Sequence, residues 1–136
     1  LKNIYKSNLS VGIGFDVHRL VPKRKLYLAG LKINSKLGTL GHSDGDPVLH
    51  SITDAILGAC KMGDIGQIFS DKNKKFKNIR SSILLNKVIH QINFKGYFIN
   101  NIEANENIEI LAFEDALDNN IGLTSADAQN GALNDA

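Results

Sequence analysis

Three side chains in the first third of the chain have the types and spacing of a metal site. Asp16 and His18 are two residues apart in a segment that reads as a β-strand, where such residues point to the same face. His50 lies one turn into a predicted helix. One carboxylate and two imidazoles can bind Zn²⁺ and leave a fourth position open, as catalytic zinc sites do. Spacing alone does not select the third ligand, and a strand-end Asp beside a surface His is the alternative.

Two neighbouring residues are candidates for binding phosphate. His42 and Ser43 stand just before a helix that Asp46 caps and Pro47 opens. A helix N-terminus offers free N–H groups and a partial positive charge, which suit an anion. The same residues also form a good turn and helix cap, so both interpretations stand.

Two acidic residues could assist such a site. Asp54 lies four residues after His50 on the same helix face and could orient its imidazole. Asp64, between two glycines, could accept hydrogen bonds from a sugar diol. The alternatives are an exposed helical Asp for the first and an ordinary helix-stop turn for the second.

The elements that must position these residues follow from periodicity. Alternating residues predict a strand over 11–17, and apolar residues at helical spacing predict a helix from Pro47 to Cys60. The remaining predictions are strands at 25–29, 31–35 and 97–102, a helix over 82–93 capped by Gly96, a mobile polar loop over 69–78, an acidic helix near 110–117 and coil over 124–136.

Composition bounds the class of protein. With 136 residues, 43% apolar and 22% charged, the chain can build one globular domain. No apolar run reaches the roughly 18–20 residues of a membrane span, so we expect no membrane partner. A single cysteine, Cys60, excludes an internal disulfide framework.

Charge is divided unevenly along the chain. Residues 1–95 hold all 16 Lys and Arg and only 6 acidic residues, whereas residues 96–136 hold 8 acidic residues and no Lys or Arg. A basic body favours phosphorylated or nucleotide ligands through long-range attraction. Basic and aromatic residues do not interleave as in single-strand binders, so we expect no nucleic-acid partner.

Four motifs in order resemble one enzyme family. They are Gly-Phe-Asp-Val-His (14–18), Gly-His-Ser-Asp-Gly-Asp (41–46), Leu-His-x-x-x-Asp-Ala-x-Leu-Gly-Ala (49–59) and Gly-Asp-Ile-Gly-x-x-Phe-x-Asp (63–71). The chain resembles the 2-C-methyl-D-erythritol 2,4-cyclodiphosphate synthases over about residues 11–100. The resemblance implies an α/β (α+β) fold, a single-domain sheet with helices packed on one face, assembling as a homotrimer with active sites between subunits. It implies one domain over 1–136, with 1–10 as an N-terminal extension and 103–136 left unassigned.

The same resemblance implies a reaction and its cofactors. Such an enzyme is a phosphorus–oxygen lyase of the non-mevalonate isoprenoid pathway. It cyclises 4-diphosphocytidyl-2-C-methyl-D-erythritol 2-phosphate to the 2,4-cyclodiphosphate and releases CMP. The 2-phosphate of the substrate attacks its own β-phosphate, so no Ser or Cys nucleophile is needed. Zn²⁺ and a second ion, Mg²⁺ or Mn²⁺ bridging the substrate phosphates, are the implied cofactors.

Residue roles also come from the resemblance. Asp16, His18 and His50 hold Zn²⁺, with Asp54 behind His50, and His42 is the catalytic residue that stabilises the transition state. Substrate contacts fall on Asp16, Val17, His18, His42, Ser43, Asp64, Ile65, Gly66, Phe69 and Asp71. Asp64 and Gly66 hold the cytidine ribose, and Phe69 and Asp71 belong to a loop that closes over the methylerythritol unit.

The chain departs from the family pattern after Ile102. The Pro-Lys pair, the Lys-x-x-Thr-x-Glu-x-x-Gly segment and the last apolar strand, which supply the cytosine pocket and complete the sheet, are not present. An imperfect reading of the C-terminal region, an altered chain and a divergent form with weakened nucleotide binding all fit. The alternative function is therefore a non-catalytic metal- and diphosphate-binding relative without a cytidine pocket.

Residue usage gives one expectation about location. Asn, Lys and Ile, whose codons are AT-rich, are heavily used, and the first residue is not Met. We expect a mature enzyme of a plastid or relic-plastid stroma, with the bacterial cytoplasm as the alternative.

Overall fold

The computed structural model describes residues 9–70 and 72–105. In these residues, four short strands precede three helices. In chain order these are β1 (Leu20–Pro22), β2 (Leu26–Leu28), β3 (Leu31–Ile33), β4 (Leu37–Thr39), α1 (Pro47–Ala59), α2 (Ile65–Ile68), a 3₁₀ turn (Lys74–Phe76) and α3 (Ser81–Phe94).

The strands form two small antiparallel sheets. β1 pairs with β4, with Leu20 opposite Thr39, and β2 pairs with β3. The α+β class is confirmed, but the single sheet is wrong for the described residues. The sequence predicts no strand over 37–39, because glycine is depleted in strands. Gly38 is required there, since a Cβ would lie 2.4 Å from the Lys25 carbonyl oxygen.

The segment predicted as the first strand is extended but joins neither sheet of the described residues. Residues 11–17 and 97–102 are both outside the described strands. Residues 11–12 of the first segment and 97–102 of the second line a groove of about 960 Å³, together with residues of α1 and α3. The two segments are not paired with each other. A β-strand needs a hydrogen-bonded neighbouring strand. Since neither segment has one among the described residues, both strand predictions are wrong there.

The segment over 11–18 owes its position to two glycines. A Cβ at Gly14 would lie 1.7 Å from the Ser51 carbonyl oxygen, and one at Gly12 would lie 1.9 Å from that of Ala55. Only glycine can approach the α1 backbone this closely. The alternate side chains point outward and are 73–92% exposed: Val11, Ile13, Phe15 and Val17.

The two long helices agree with their predictions. Asp46 caps α1, accepting a hydrogen bond from the Leu49 N–H, and Pro47 occupies the first turn. α3 runs one residue further at each end than predicted, and Gly96 ends it with φ +82°. No described helix is long and apolar enough to cross a membrane.

The apolar core lies between α1 and α3. The side chains that fill it are Ile56, Leu57, Cys60, Phe69, Leu84, Val88 and Ile92. Phe69 was expected to open a mobile polar loop, but it is buried and packs edge-on against Phe76 with ring centroids 5.3 Å apart. Its large apolar area explains the difference. The helix and coil predicted beyond residue 105 lie outside the described residues.

One buried carboxylate joins α1 to the strands. Asp46 is fully buried, and besides the Leu49 N–H it accepts hydrogen bonds from Ala29 N (3.1 Å) and Gly30 N (2.6 Å). Both donors belong to the turn between β2 and β3. The start of α1 and this turn are therefore held by the same side chain.

A pair of glycine substitutions tests the crossing of α1. Gly14→Ala should destabilise the protein by about 1–3 kcal/mol, because its methyl group meets helix backbone. Gly58→Ala, within α1, should stabilise by about 0.5–1 kcal/mol, because no atom lies within 4 Å of its Cβ and alanine favours the helix. Urea unfolding measures both. Equal effects of the two substitutions would contradict the close approach.

Candidate metal centre

Asp16, His18 and His50 converge in the structure. Asp16 Oδ2 lies 3.3 Å from His18 Nδ1 and 3.0 Å from His50 Nδ1. One ligand atom from each of the three residues lies within 4.8 Å of the other two. Among the described residues, no other group of three such side chains meets this condition. These residues were singled out by spacing, and the fold brings them together.

The backbone explains this convergence. Asp16 and His18 continue the alternation of Gly12 and Gly14, so they share the face that lies against α1. His50 stands in the first turn of α1. Two alternate residues of the extended segment, Asp16 and His18, therefore lie beside His50 of the helix.

Electrostatics at this cluster favours opposite charges. Burial alone would raise the pKa of Asp16, but hydrogen bonds from His18 and His50 outweigh it and hold that pKa well below its ordinary value. The hydrogen bond to Asp16 raises the pKa of His18, against the effect of burial. Asp16 and His18 therefore each stabilise the charged form of the other.

The donor set fits a zinc ion. Zn²⁺ binds imidazole nitrogen and carboxylate oxygen, and three protein ligands are typical of sites that keep a position for substrate. Metal-ligating imidazoles commonly have a partner on the second ring nitrogen. His50 has this feature, because its Nε2 lies 2.8 Å from Ser81 Oγ and 3.0 Å from Ser43 Oγ.

A cavity of about 330 Å³ surrounds this cluster. It brings together most of the predicted site residues. Its lining includes Asp16, Val17, His18, His42, Ser43, His50, Ile65, Gly66 and Phe69. Phe76, Leu84 and Arg19 complete its wall, with Leu40 and Gly41. The cavity wall therefore combines polar and apolar side chains.

The two candidate phosphate residues face different ways. His42 Nε2 lies 3.2 Å from the Asn73 carbonyl oxygen. Ser43 is buried, and its Oγ accepts a hydrogen bond from Gly45 N at 3.1 Å while also meeting His50. Ser43 thus supports the imidazole of His50, which the sequence did not indicate.

Asp54 and Asp64 both accept hydrogen bonds from backbone N–H groups of α2. Asp54 Oδ1 accepts a hydrogen bond from Ile65 N (2.7 Å), and both ring nitrogens of His50 have other partners. Asp54 therefore joins α1 to α2 and does not hold His50. Asp64 caps α2 through Gln67 N (2.9 Å), the helix-turn alternative. Asp71 lies outside the described residues.

Sequence reasoning missed the residues that hold the loop over 41–46. Arg24 donates to the carbonyl oxygens of Thr39, Gly41 and Ser43 at 3.0–3.1 Å. Arg80 Nε donates to Asp44 Oδ2 at 3.0 Å. These contacts join residues at least 15 positions apart, so no local pattern reveals them.

Fold and site together define an α+β domain with an Asp-His-His cluster that could hold a metal ion at the start of a helix. The chain belongs to the YgbB family, whose family model matches residues 9–122. The resemblance drawn from the four motifs is thereby confirmed.

Two bacterial enzymes are similar in sequence to this part of the chain. It is 69% identical over 101 residues to the bifunctional enzyme IspD/IspF of Pelagibacter ubique, covering 74% of this chain and 27% of that protein. It is 52% identical over 96 residues to the 2-C-methyl-D-erythritol 2,4-cyclodiphosphate synthase of Clostridium botulinum strain Alaska E43, covering 71% of this chain and 61% of that one.

A solved structure shares the fold. The CDP-bound form of a 2C-methyl-D-erythritol-2,4-cyclodiphosphate synthase matches with a TM-score of 0.59 and 43% identity, covering 63% of this chain and 57% of that one. The chain thus spans less than two thirds of the length of each of these relatives.

The pKa shifts of the cluster predict a pH dependence in metal-free protein. Asp16 stabilises the fold above its unfolded pKa, and this is lost as pH falls. His18, whose pKa is raised, stabilises below its unfolded pKa, and this is lost as pH rises through the folded value. The stability difference between wild type and Asp16→Asn should therefore peak near pH 5–6, at about 1–2 kcal/mol.

Urea midpoints at pH 3, 5.5 and 9 in the presence of a chelator measure this difference. A difference that stays constant across the three pH values would contradict the charge cluster.

Proposed function

We propose that this chain is the catalytic domain of a zinc-dependent cyclodiphosphate synthase. The reaction converts 4-diphosphocytidyl-2-C-methyl-D-erythritol 2-phosphate into 2-C-methyl-D-erythritol 2,4-cyclodiphosphate and CMP. The convergence of Asp16, His18 and His50 on one cavity is the observation that carries this proposal. The names of the relatives and the CDP-bound structure support the substrate class.

The reaction asks the protein to position and neutralise charge. An oxygen of the 2-phosphate attacks the β-phosphorus, and the bond from that phosphorus to the oxygen of CMP breaks as the ring closes. The nucleophile and leaving group both belong to the substrate. Holding two repelling phosphates in line is therefore the main catalytic task.

Asp16, His18 and His50 would hold Zn²⁺, which when bound supplies positive charge against a phosphate oxygen. We assign His42 to stabilise the developing charge, supported by its place in the wall of the cavity. Ser43 holds His50 and lines the same wall. Asp16, Val17 and His18 would then form the near side of the phosphate site.

Other residues of the cavity wall suit the cytidine and methylerythritol parts of the substrate. Ile65 and Gly66 line the cavity, and we assign them with Asp64 to the cytidine ribose. Asp64 would have to share its carboxylate between Gln67 and the sugar. Phe69 offers an apolar wall to the methylerythritol unit, and Asp71 would follow it. Mg²⁺ or Mn²⁺, bound by substrate phosphates and water, is the proposed second cofactor.

The exposed strip formed by Val11, Ile13, Phe15 and Val17 supports a homotrimer. Contiguous exposed apolar side chains on an extended segment indicate a protein interface. Asp16 and His18 lie on the opposite face of that segment, so an interface on the strip would bring a neighbour close to the metal centre. We propose that subunits meet there and that active sites lie between them.

The relatives support a proposal on location and pathway. Their organisms are bacteria, which favours the bacterial cytoplasm over the plastid stroma that residue usage suggested. We propose a role in non-mevalonate isoprenoid biosynthesis. The single domain proposed for the whole chain would contain this site.

A second candidate is a binding protein without turnover. The chain covers 61% of the Clostridium botulinum synthase, and the residues after 102 do not carry the family's cytosine-pocket motifs. In that case zinc and diphosphate would bind, but no CMP would be released. Calorimetric titration with CMP and with pyrophosphate separates the two, since clear CMP affinity contradicts the binding protein.

The synthase proposal predicts metal-dependent CMP release. With Zn²⁺ and Mg²⁺ present, CMP and the cyclic diphosphate should form in equal amounts, and a chelator should abolish both. His50→Ala should lower the rate by about 100-fold or more, because one of three zinc ligands is lost. His90→Ala, an exposed histidine of α3, should leave it unchanged. Full activity of metal-free His50→Ala would refute the proposal.

The trimer proposal predicts a change of mass. Ile13→Glu, at the most exposed position of the strip, should convert a trimer into monomers, because it buries a charge at the interface. Leu31→Glu is the control, because Leu31 is another exposed apolar residue but lies in β3, outside the strip. This substitution should leave the assembly intact. Sedimentation velocity reads both masses. A wild type that sediments as a monomer at micromolar concentration would contradict the trimer.

A further inference from the structure

His50 is backed by a chain of hydrogen bonds that the proposed reaction does not use. Its Nε2 meets Ser81 Oγ at 2.8 Å. Ser81 Oγ in turn meets Asp44 Oδ1, and the Ser81 N–H donates to the same oxygen at 3.1 Å. Ser81 and Asp44 are 1% and 8% exposed, so the contacts are shielded from water.

The direction of each hydrogen bond in this series follows from the carboxylate of Asp44, at which the series ends. Asp44 faces donors on both oxygens, since Arg80 Nε donates to Oδ2 at 3.0 Å. A carboxylate only accepts hydrogen bonds, so the single proton of the Ser81 hydroxyl points to Asp44. Ser81 Oγ can then only accept from His50. The Nε2 atom of His50 must therefore carry a proton.

Ser43 fits the same assignment. Its Oγ accepts from Gly45 N at 3.1 Å and lies 3.4 Å from Ser81 Oγ, which has a second lone pair to accept the Ser43 proton. All hydroxyl protons then have an acceptor without any donation to His50. Among the described residues, no buried side-chain nitrogen or oxygen lacks a partner.

The far end of the chain is anchored in the β2–β3 hairpin. The Arg80 guanidinium lies 4.2 Å from the ring centroid of Tyr27, and its terminal nitrogen donates to the Gly30 carbonyl oxygen at 2.7 Å. An arginine that stacks on a ring and donates two hydrogen bonds has little freedom to rotate. Asp44 is therefore held in one orientation.

We infer that Ser81 and Asp44 are positioning residues that hold an N–H of His50 at Nε2, so that Nδ1, which lies against Asp16 Oδ2 in the metal-free protein, is the nitrogen that gives up its proton when the metal binds. The inference rests on the proposed zinc site. In a zinc-bound imidazole the ligating nitrogen has no proton, and the opposite N–H is commonly fixed by an acceptor. Here that acceptor is a hydroxyl oriented by a carboxylate from the loop before α1.

Three variants of the full chain test this inference. Ser81→Ala removes the acceptor of the imidazole proton. Asp44→Asn keeps the shape of the side chain but replaces one acceptor with a donor. Ser82→Ala is the matched control, because Ser82 is the next residue of α3 and is only partly buried. Thermal unfolding confirms that each variant is folded.

The first measurement is the zinc dissociation constant, obtained by competition with a chromogenic chelator. Ser81→Ala and Asp44→Asn should weaken zinc binding by about 10–100-fold, the usual effect of removing the partner of a ligating histidine. Ser82→Ala should match the wild type. Wild-type affinity within twofold for both site variants would overturn the inference.

The second measurement is the protonation of His50 by ¹H–¹⁵N NMR in metal-free and zinc-loaded protein. Nε2 should carry a proton in both states of the wild type, and its N–H signal should exchange faster with water in Ser81→Ala. A metal-free wild type with the proton on Nδ1 alone would overturn the inference. Zinc binding without CMP release would instead count against the synthase proposal, so the two failures are distinguishable.

Discussion

The Asp-His-His cluster depends on how closely an extended segment can lie against a helix. Gly12 and Gly14 bring that segment into contact with the α1 backbone, at distances that no side chain would allow. The next two positions on the same face are Asp16 and His18, which therefore reach the first turn of α1. The ligand set is a continuation of the packing, with functional side chains taking over where the glycines end.

The sequence predicted what is local and missed what is distant. The cap at Asp46, both long helices and the Gly96 stop follow from signals within a few residues. The predicted strands at 11–17 and 97–102 are not formed, because alternation predicts which side chains share a face but does not supply a hydrogen-bonded neighbour. The prediction that Asp54 orients His50 differs from the structure, because helical spacing predicts only which residues share a face, and the hydrogen bond of Asp54 goes to Ile65.

Polar and apolar burial are separated along α1. One part of the helix packs against α3 through the apolar core cluster, and its first turn lies within a network of buried hydroxyls and carboxylates. Among the described residues this network is fully paired. Its members come from four separate parts of the chain, so their partners could not be paired from the sequence, although Ser43 and His50 were recognised individually. The buried polar members are Thr39, Ser43, Asp44, Asp46, His50 and Ser81.

The carboxylate of Asp46 has a consequence for how the domain assembles. It caps α1 and also holds the turn of the β2–β3 hairpin, which is 16–17 residues earlier in the chain. A helix start is a costly nucleus, and a two-stranded hairpin is marginal alone. Sharing one cap makes each a condition for the other. Loss of this one carboxylate would leave the N–H donors of both the helix start and the hairpin turn without their acceptor.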